Sequence, residues 1–310
     1  MSKRLKVVAS LLIFCTFMLF VGVSLAAQEV SSEWLAQEHK EHPLVGRFWS
    51  VNRQQKLDFD LWLQQRPQGS WLLLGEQHDH PDHQRLARLW LEQLVQAERL
   101  GVLAMEMLRA SQQPALDEAR GQNIENETQL DWPEQGWDWA VYGDLVQAGL
   151  LSAERVLAID LDRRQQLAAY REGAPRPAIS QAQAEALDEL LYEGHCQMLP
   201  RERLGAMRQV QLARDQAMAL VMAEAIEVPG VHLLLAGAVH VRQDLGIPRW
   251  LPGEVRVVSL LLQQVDPERK EPEAYLPASI DGLQAFDYIF FTPAIEPVDY
   301  CAKMRASQKP

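Results

Sequence analysis

Imidazole and carboxylate groups are concentrated in the stretch WLLLGEQHDHPDHQ, which runs from Trp71 to Gln84. Three of the eight histidines of this 310-residue chain lie here, close to Glu76. Neutral imidazole and carboxylate oxygen are ligands for zinc, manganese and iron, and a metal-bound water can act as a nucleophile in hydrolysis. The stretch therefore raises the question whether its three histidines serve one metal site, a haem site or the start of a helix.

Two of these histidines have a structural interpretation. Pro81 suits the first turn of a helix, where its missing N–H needs no partner. Asp79 or His80 would then be the N-cap, and Asp82 would favour the positive helix end. This pattern assigns His80 to the helix start. His83 falls on the first turn, where a role in cofactor binding at a pocket rim stays open.

Apolar runs of strand length recur along the chain, with helical patterns between them. Most of these runs are continuous, which is typical of parallel strands that are covered on both faces. Helical spacing is found in residues 82–100, 181–191 and 204–226. The sequence thus predicts an α/β fold with a mostly parallel central sheet flanked by helices. The predicted strands are 71–74, 102–105, 156–159, 231–236, 255–262 and 286–291.

An acid or a histidine follows four of the predicted strands. Ligands bind outside the carboxyl ends of the strands in open parallel sheets. If these strands are neighbours, the polar residues converge on one pocket, either as metal ligands for hydrolysis or as a site that simply holds iron, for example in haem. The residues are Glu76, His78, Glu106, Asp160 and His240. Of these, Glu76, His78, Glu106 and His240 are the candidate metal ligands, and the catalytic groups of the hydrolase alternative.

Two details strengthen this prediction. The pattern Gly-x-x-His occurs twice, from Gly75 to His78 and from Gly237 to His240, each time at a predicted strand end. Glu106 lies between two methionines, and a buried carboxylate needs a partner.

The N-terminus reads MSKRLKVVASLLIFCTFMLFVGVSLAAQEV, a basic head followed by an apolar run and small residues. This is the pattern of a signal peptide over residues 1–26, with an uncleaved anchor as the alternative. An entry segment (27–43), a domain (44–295) and a C-terminal tail (296–310) would follow.

Cleavage of the predicted signal peptide removes the three basic residues before Ala26 and changes the formal net charge from −12 to −15. Such acidity disfavours nucleic acid and anionic lipid as partners.

Cys196 and Cys301 remain after processing. A disulfide between them, two free thiols and an intermolecular bridge are all compatible with the sequence. The chain has no CxxCH motif, which excludes covalent c-type haem attachment.

Several segments together resemble a known family. They are HPLVGRFW, LLLGEQHDHPDHQRLARLWLEQL, LAMEML, WDWAVYGDL, GHCQMLP, QLARDQAMAL and LLLAGAVHVRQDLGIPRWL, in this order. The chain resembles the ChaN-type haem-binding uptake proteins of the Tiki superfamily from about residue 42 to 292. The resemblance implies an α/β domain like those of ChaN and the erythromycin esterases, with a helical cap, predicted here over about 110–150 and 180–225.

The resemblance also implies haem as the cofactor, a role in haem or iron uptake and export to the periplasm of a Gram-negative-type bacterium, with a membrane link only through the N-terminus. Haem can be held between two chains, so homodimerisation would be coupled to binding.

Other branches, such as Tiki proteases, imply the alternative of a metal-dependent hydrolase. Two departures are the absent lipobox and Asp160, where a neutral residue such as Asn is expected.

The candidate cofactor-binding residues are Tyr142, His78, His83 and Arg242. Tyr142 is the preferred axial ligand, because tyrosinate binds ferric haem and the neighbouring tryptophans could pack on a porphyrin. The competing interpretation is that Tyr142 and the tryptophans Trp132, Trp137 and Trp139 only pack the cap.

Overall fold

The structure, a computed structural model, describes residues 34–133 and 136–307. The predicted signal peptide and residues 27–33 of the predicted entry segment lie outside the described residues. The boundaries of the predicted domain and tail stay predictions. In the described part of the chain, no helix is both long enough and apolar enough to span a membrane.

An eight-stranded sheet forms the centre of the fold, in the order β2-β1-β8-β7-β3-β6-β4-β5. All pairings from β8 to β5 are parallel, whereas β1 pairs antiparallel with β2 and β8. The strands are β1 (Phe48–Ser50), β2 (Gln55–Leu57), β3 (Ser70–Glu76), β4 (Leu100–Arg109), β5 (Arg155–Asp160), β6 (Val231–Gly237), β7 (Arg256–Gln264) and β8 (Tyr288–Thr292).

The mostly parallel α/β sheet confirms the predicted fold class. Each of the six predicted apolar runs overlaps one of the strands β3 to β8, because central parallel strands are buried on both faces and carry few polar residues; the runs 255–262 and 286–291 begin one and two residues before β7 and β8. The two strands that the pattern missed, β1 and β2, have three residues each and lie at the antiparallel edge. Strands this short leave no periodicity to detect.

Eight α-helices are found in the described residues. They are α1 (Phe59–Gln64), α2 (Pro81–Gln96), α3 (Gln113–Glu118), α4 (Trp139–Ser152), α5 (Arg163–Glu172), α6 (Gln181–Gly194), α7 (Leu204–Glu224) and α8 (Tyr300–Ser307). α4 packs on α2, while α5 and α6 both pack on α7. That these helices act as a cap stays a prediction.

The start of α2 agrees with the prediction. His80 is the N-cap, and its side chain accepts a hydrogen bond from the backbone N–H of Asp82. The Asp82 carboxylate does more than favour the helix end, since it also accepts the backbone N–H groups of Leu35 and Ala36 at 3.0 and 2.9 Å. Asp82 therefore attaches the segment before β1 to the helix that follows β3.

Cys196 and Cys301 form a disulfide, with their Cα atoms 5.3 Å apart. Of the three options that the sequence left open, the structure thus has the intramolecular bridge. The bond joins the turn after α6 to α8, which lies in the predicted tail. It closes a loop whose ends are 105 residues apart in the sequence.

Replacing Cys301 by Ala should lower the free energy of unfolding by about 2–4 kcal/mol, because the bridge restricts the unfolded chain over a long loop. Equilibrium urea unfolding with and without a reductant measures the effect. The oxidised wild type should lose stability on reduction, whereas Cys301→Ala should be insensitive to the reductant. Equal urea midpoints for oxidised and reduced wild type would contradict a stabilising bridge.

Candidate functional site

A cavity of about 450 Å³ lies where β3, β4 and β6 end. These strands are direct neighbours, with β6 between β3 and β4, so their carboxyl ends meet at one edge of the sheet. The sheet order thus brings together Glu76, His78, Glu106 and His240, which all line the cavity. The opposite wall is apolar and consists of Leu187, Leu190 and Leu191 of α6.

His78 is held by Glu76. Its Nδ1 lies 2.9 Å from Oε1 of Glu76, and its Nε2 lies 3.9 Å from Oε2 of Glu106. The Glu76 carboxylate is fully buried, whereas the His78 side chain is 37% exposed. Glu76 therefore holds the His78 ring at the cavity surface. The ring centroid of His78 lies 4.5 Å from that of Trp137.

The hydroxyl of Tyr142 also binds this carboxylate. It lies 2.9 Å from Oε1 of Glu76 and 3.1 Å from the carbonyl oxygen of His78. Gln84 donates to the other oxygen of Glu76. Tyr142 is itself buried and is not among the residues that line the cavity. The Tyr142 hydroxyl thus supports the Glu76–His78 pair in this structure.

Glu106 is the centre of a second, larger network. Its Oε1 accepts a hydrogen bond from Arg214 at 2.7 Å and lies 3.4 Å from Nε2 of His240, while its Oε2 accepts the backbone N–H of Gly237 at 2.7 Å. Arg214 also donates to both carboxylate oxygens of Asp160, at 2.9 and 2.8 Å. Nδ1 of His240 lies 2.5 Å from Oδ1 of Asp215. The network joins β4, β5, β6 and α7.

The network determines which groups carry protons. Burial alone would lower the pKa of His240, but the carboxylates of Glu106 and Asp215 outweigh it and raise the pKa to about 10. Burial alone would raise the pKa of Glu106, but His240 and Arg214 hold it well below its usual range. At neutral pH, His240 is consequently a buried cation that faces two acids.

The Glu76–His78 pair behaves differently. Burial raises the pKa of Glu76. Burial alone would lower the pKa of His78, but the hydrogen bond to Glu76 and the charge of Glu106 raise it above the ordinary value. Burial and the nearby charge of Glu76 raise the pKa of the Tyr142 hydroxyl, which disfavours the tyrosinate. Both pKa values of this pair are therefore raised, and its imidazole lies at the cavity surface.

The two Gly-x-x-His motifs have a steric explanation. A Cβ atom on Gly237 would lie 2.8 Å from Nε2 of His78, so the glycine leaves room for that ring. A Cβ atom on Gly75 would lie 2.5 Å from the side chain of Val241 and 3.1 Å from Cα of Ala238. Each glycine thus admits groups from the neighbouring strand end, which links the two motifs in space.

The structure does not bring His83 and Arg242 into the cavity. His83 is fully buried instead of lying at a rim: its Nδ1 accepts the backbone N–H of Gln77, and its Nε2 lies 3.2 Å from the Thr292 hydroxyl. Arg242 is buried in a two-hydrogen-bond pair with Asp244. Both side chains are hydrogen bonded inside the protein, away from this cavity, and their role in cofactor binding stays a prediction.

The sequence reasoning missed three polar residues of α7, namely Gln211, Arg214 and Asp215. All three contact His240, Glu106 or Asp160. Their spacing places them on one face of a helix, and this was the signal that could have found them.

No group of three or more His, Cys, Asp or Glu side chains is arranged to hold a metal ion in residues 34–133 and 136–307. In this structure Glu106 is bound to Arg214 and lies 3.4 Å from Nε2 of His240. A bare-metal site built from the four residues at the strand ends stays a prediction.

The sequence model of the family "Haem-binding uptake, Tiki superfamily, ChaN" matches residues 62–251. This match covers more than half of the chain, and the protein belongs to this family of haem-binding uptake proteins. The match agrees with the resemblance drawn from the sequence. None of the curated proteins matches the chain.

Solved structures share the fold. The structure entitled cofacial haem binding to ChaN of Campylobacter jejuni has a TM-score of 0.63 at 23% identity and spans 82% of this chain and 98% of that one. A mutant erythromycin esterase in its open conformation has a TM-score of 0.44 at 13% identity, over 80% of this chain and 98% of that one. At these identities the likeness to ChaN shows the fold, and the esterase carries no further argument.

Replacing Gly237 by Ala should push the His78 ring away from Glu76, because the new Cβ atom would meet Nε2 of His78. The imidazole signals of His78 in a ¹H–¹⁵N NMR spectrum should shift, with a stability loss below about 2 kcal/mol. Gly194→Ala is the control, since a Cβ atom there meets nothing within 4 Å. An unchanged His78 signal in Gly237→Ala would contradict the close approach.

Stability should fall as the pH rises from about 7 to 10. His240 has a pKa of about 10 in the folded state, above the value of about 6.5 in the unfolded chain. In this interval the folded state therefore binds more protons than the unfolded state. Urea unfolding at a series of pH values measures the slope. His240→Gln should be less stable at pH 7 and should have a flatter slope, and parallel slopes would contradict the assigned protonation.

Proposed function

We propose that this protein binds haem in the cavity at the ends of β3, β4 and β6 and serves haem or iron uptake as an exported protein. The observation that carries the proposal is the partly exposed His78, which lines the cavity and whose Nδ1 is bound to the buried Glu76. Membership of the haem-binding uptake family supports it.

The residues around the cavity fit haem. A histidine that donates one ring N–H to a carboxylate is oriented for metal ligation through its other nitrogen. When bound, haem supplies an iron centre with axial positions and a flat apolar ring. His78 is our assignment for the ligand, and the leucines of α6 that line the cavity provide an apolar surface for the ring.

Tyr142 has a different role in this proposal. Its hydroxyl is buried and donates a hydrogen bond to Glu76 in this structure. Ligation by Tyr142, which the sequence favoured, would require the hydroxyl to leave Glu76. We therefore assign Tyr142 as a positioning residue that acts on His78 through Glu76.

The remaining features follow from the same assignment. We infer that α6 and α7 act as the helical cap, since Leu187, Leu190, Leu191 and Arg214 line the cavity from these helices. The disulfide is consistent with export to the oxidising periplasm. A homodimer coupled to haem binding is part of the proposal, and the open cavity with the exposed Leu190 at its wall supports it.

Hydrolysis is the second candidate function. Two histidine–carboxylate pairs line one cavity, and their environments differ: His240 is a buried cation, while His78 is partly exposed and bound to Glu76. Such a difference separates a general base from a fixed positive charge that could stabilise a developing oxyanion. His78 would be the base in this case, activating water for attack on an ester or amide.

Titration of the purified protein with hemin tests the first function by the Soret band. The wild type should bind, and His78→Ala should weaken binding by about tenfold or more, because a ligand to iron is removed. Tyr142→Phe should bind more weakly but keep the imidazole-type spectrum. His39→Ala, a change of an exposed histidine, is the control. Size-exclusion chromatography with and without hemin measures the coupled dimer.

Two outcomes would contradict the assignment. Loss of the spectrum in Tyr142→Phe alone would move the axial ligand to Tyr142. Absence of any Soret change in the wild type would reject haem binding. In that case, hydrolysis of an activated ester by the wild type and its loss in His78→Ala would favour the second function.

A further inference from the structure

The strap, which consists of residues 295–300, leaves the sheet at the end of β8. Its first backbone N–H, that of Ile295, donates to the side chain of Gln264 at the end of β7 at 3.2 Å. The strap is followed by Cys301 of α8, which is bonded to Cys196 after α6. The strap therefore runs from the β8 edge, past the end of β7, to α6, whose leucines line the cavity at the ends of β3, β4 and β6 (the strand-end cavity).

We propose that the Cys196–Cys301 bond is a redox-sensitive latch of the strand-end cavity. In the disulfide form the bond holds the strap and the end of α6 together, and in the dithiol form it releases both. The inference rests on the proposed function, because it assigns to the bond the control of ligand release. The reductant is a dithiol: the two sulfur atoms of the bond take up two electrons and two protons, and the dithiol becomes a disulfide.

The strap has few attachments besides the disulfide. In the described part of the chain, the hydrogen bonds recorded for residues 296–300 all stay within the C-terminal segment. The side chains from Glu296 to Tyr300 are exposed. A segment with exposed side chains and no hydrogen bonds to the core opens at a low free-energy cost. The covalent bond at Cys301 therefore determines whether the strap stays in place.

A cavity of about 440 Å³ lies against the strap. Residues 294–298 and Tyr300 line it together with residues 264–267, which come from the end of β7 and the turn after it. Gln77 lines this cavity and also the strand-end cavity, so the two spaces adjoin at the end of β3. Release of the strap consequently opens the strand-end cavity to solvent on this side.

The half of α6 next to Cys196 is also held weakly by other contacts. None of the residues 188–194 is buried, although two leucines of this stretch line the strand-end cavity. Ion pairs with Arg201 and Arg208 join this half to the segment that follows it. Ion pairs that are exposed to this extent contribute little to stability. Breaking the disulfide therefore frees the apolar wall of the cavity as well as the strap.

The position of the bond allows its reduction. Cys196 and Cys301 are both partly exposed. Reduction begins with the attack of a thiolate on one of the two sulfur atoms, and its rate depends on access to that atom. A disulfide between a surface turn and the last helix of the described chain meets this requirement without unfolding of the sheet.

The rate of hemin release tests the latch. Oxidised wild type should transfer hemin to an excess of apomyoglobin about tenfold more slowly than the double variant Cys196→Ser/Cys301→Ser. Pretreatment with dithiothreitol should bring the wild type to the rate of the variant. The same treatment should leave the variant unchanged, which controls for effects of the reductant on haem. Arg201→Gln, which removes an exposed ion pair with Glu189, is the matched control and should keep the rate of the oxidised wild type.

Hydrogen exchange of the haem-free protein, followed by mass spectrometry, measures the opening without a ligand. Reduction of the wild type should speed exchange in residues 188–194 and in the strap. The buried strands β3 and β6 should exchange at the same rate in both forms, because the latch does not hold the sheet.

The outcomes separate the latch from the proposed function. Equal release from oxidised wild type and the double variant would overturn the latch and leave haem binding intact. Faster exchange in the strap alone would also overturn it, because α6 would then not depend on the bond. If the wild type binds no hemin, the proposed function is rejected and hydrogen exchange decides by itself. Faster exchange in residues 188–194 then supports the latch, and unchanged exchange there overturns it.

Discussion

The buried carboxylate of Glu106 is the constraint on which this site depends. A carboxylate at the end of a central strand must be compensated within the protein, since an unpaired buried charge costs far more than any single contact returns. Arg214, His240 and the N–H of Gly237 provide the compensation. These partners come from different elements, so satisfying one acid determines how β6 and α7 are placed against β4.

The same compensation creates the chemistry of the cavity. Arg214 and His240 bring two more acids with them, Asp160 and Asp215, so the floor becomes a closed ionic network. His78 lies outside this network, bound to Glu76, and remains accessible. A rigid, charge-compensated floor beside one available imidazole is suited to a large apolar ligand that needs a single polar attachment.

Much of this arrangement was accessible from the sequence. The continuous apolar runs identified the six strands that form the parallel part of the sheet, and the polar residues at their ends identified Glu76, His78, Glu106 and His240 as a set. The repeated Gly-x-x-His pattern pointed to the same place. Positions of His83 and Arg242 were predicted less well, because a polar residue near a site can be satisfied internally, and only the contacts reveal this.

What the sequence by itself determined is the local part: strand and helix character, a helix N-cap at Asp79 or His80, and which residue types stand at the strand ends. The structure has the N-cap at His80. Tertiary structure alone decided the order of the strands, the pairing of Arg214 and Asp215 with residues far along the chain, and the use of Tyr142 as a hydrogen-bond donor. The physical reason is the separation along the sequence over which each feature is decided. Periodicity reports which face of an element is buried, whereas the partner of a buried charge depends on the packing of elements that are distant in sequence.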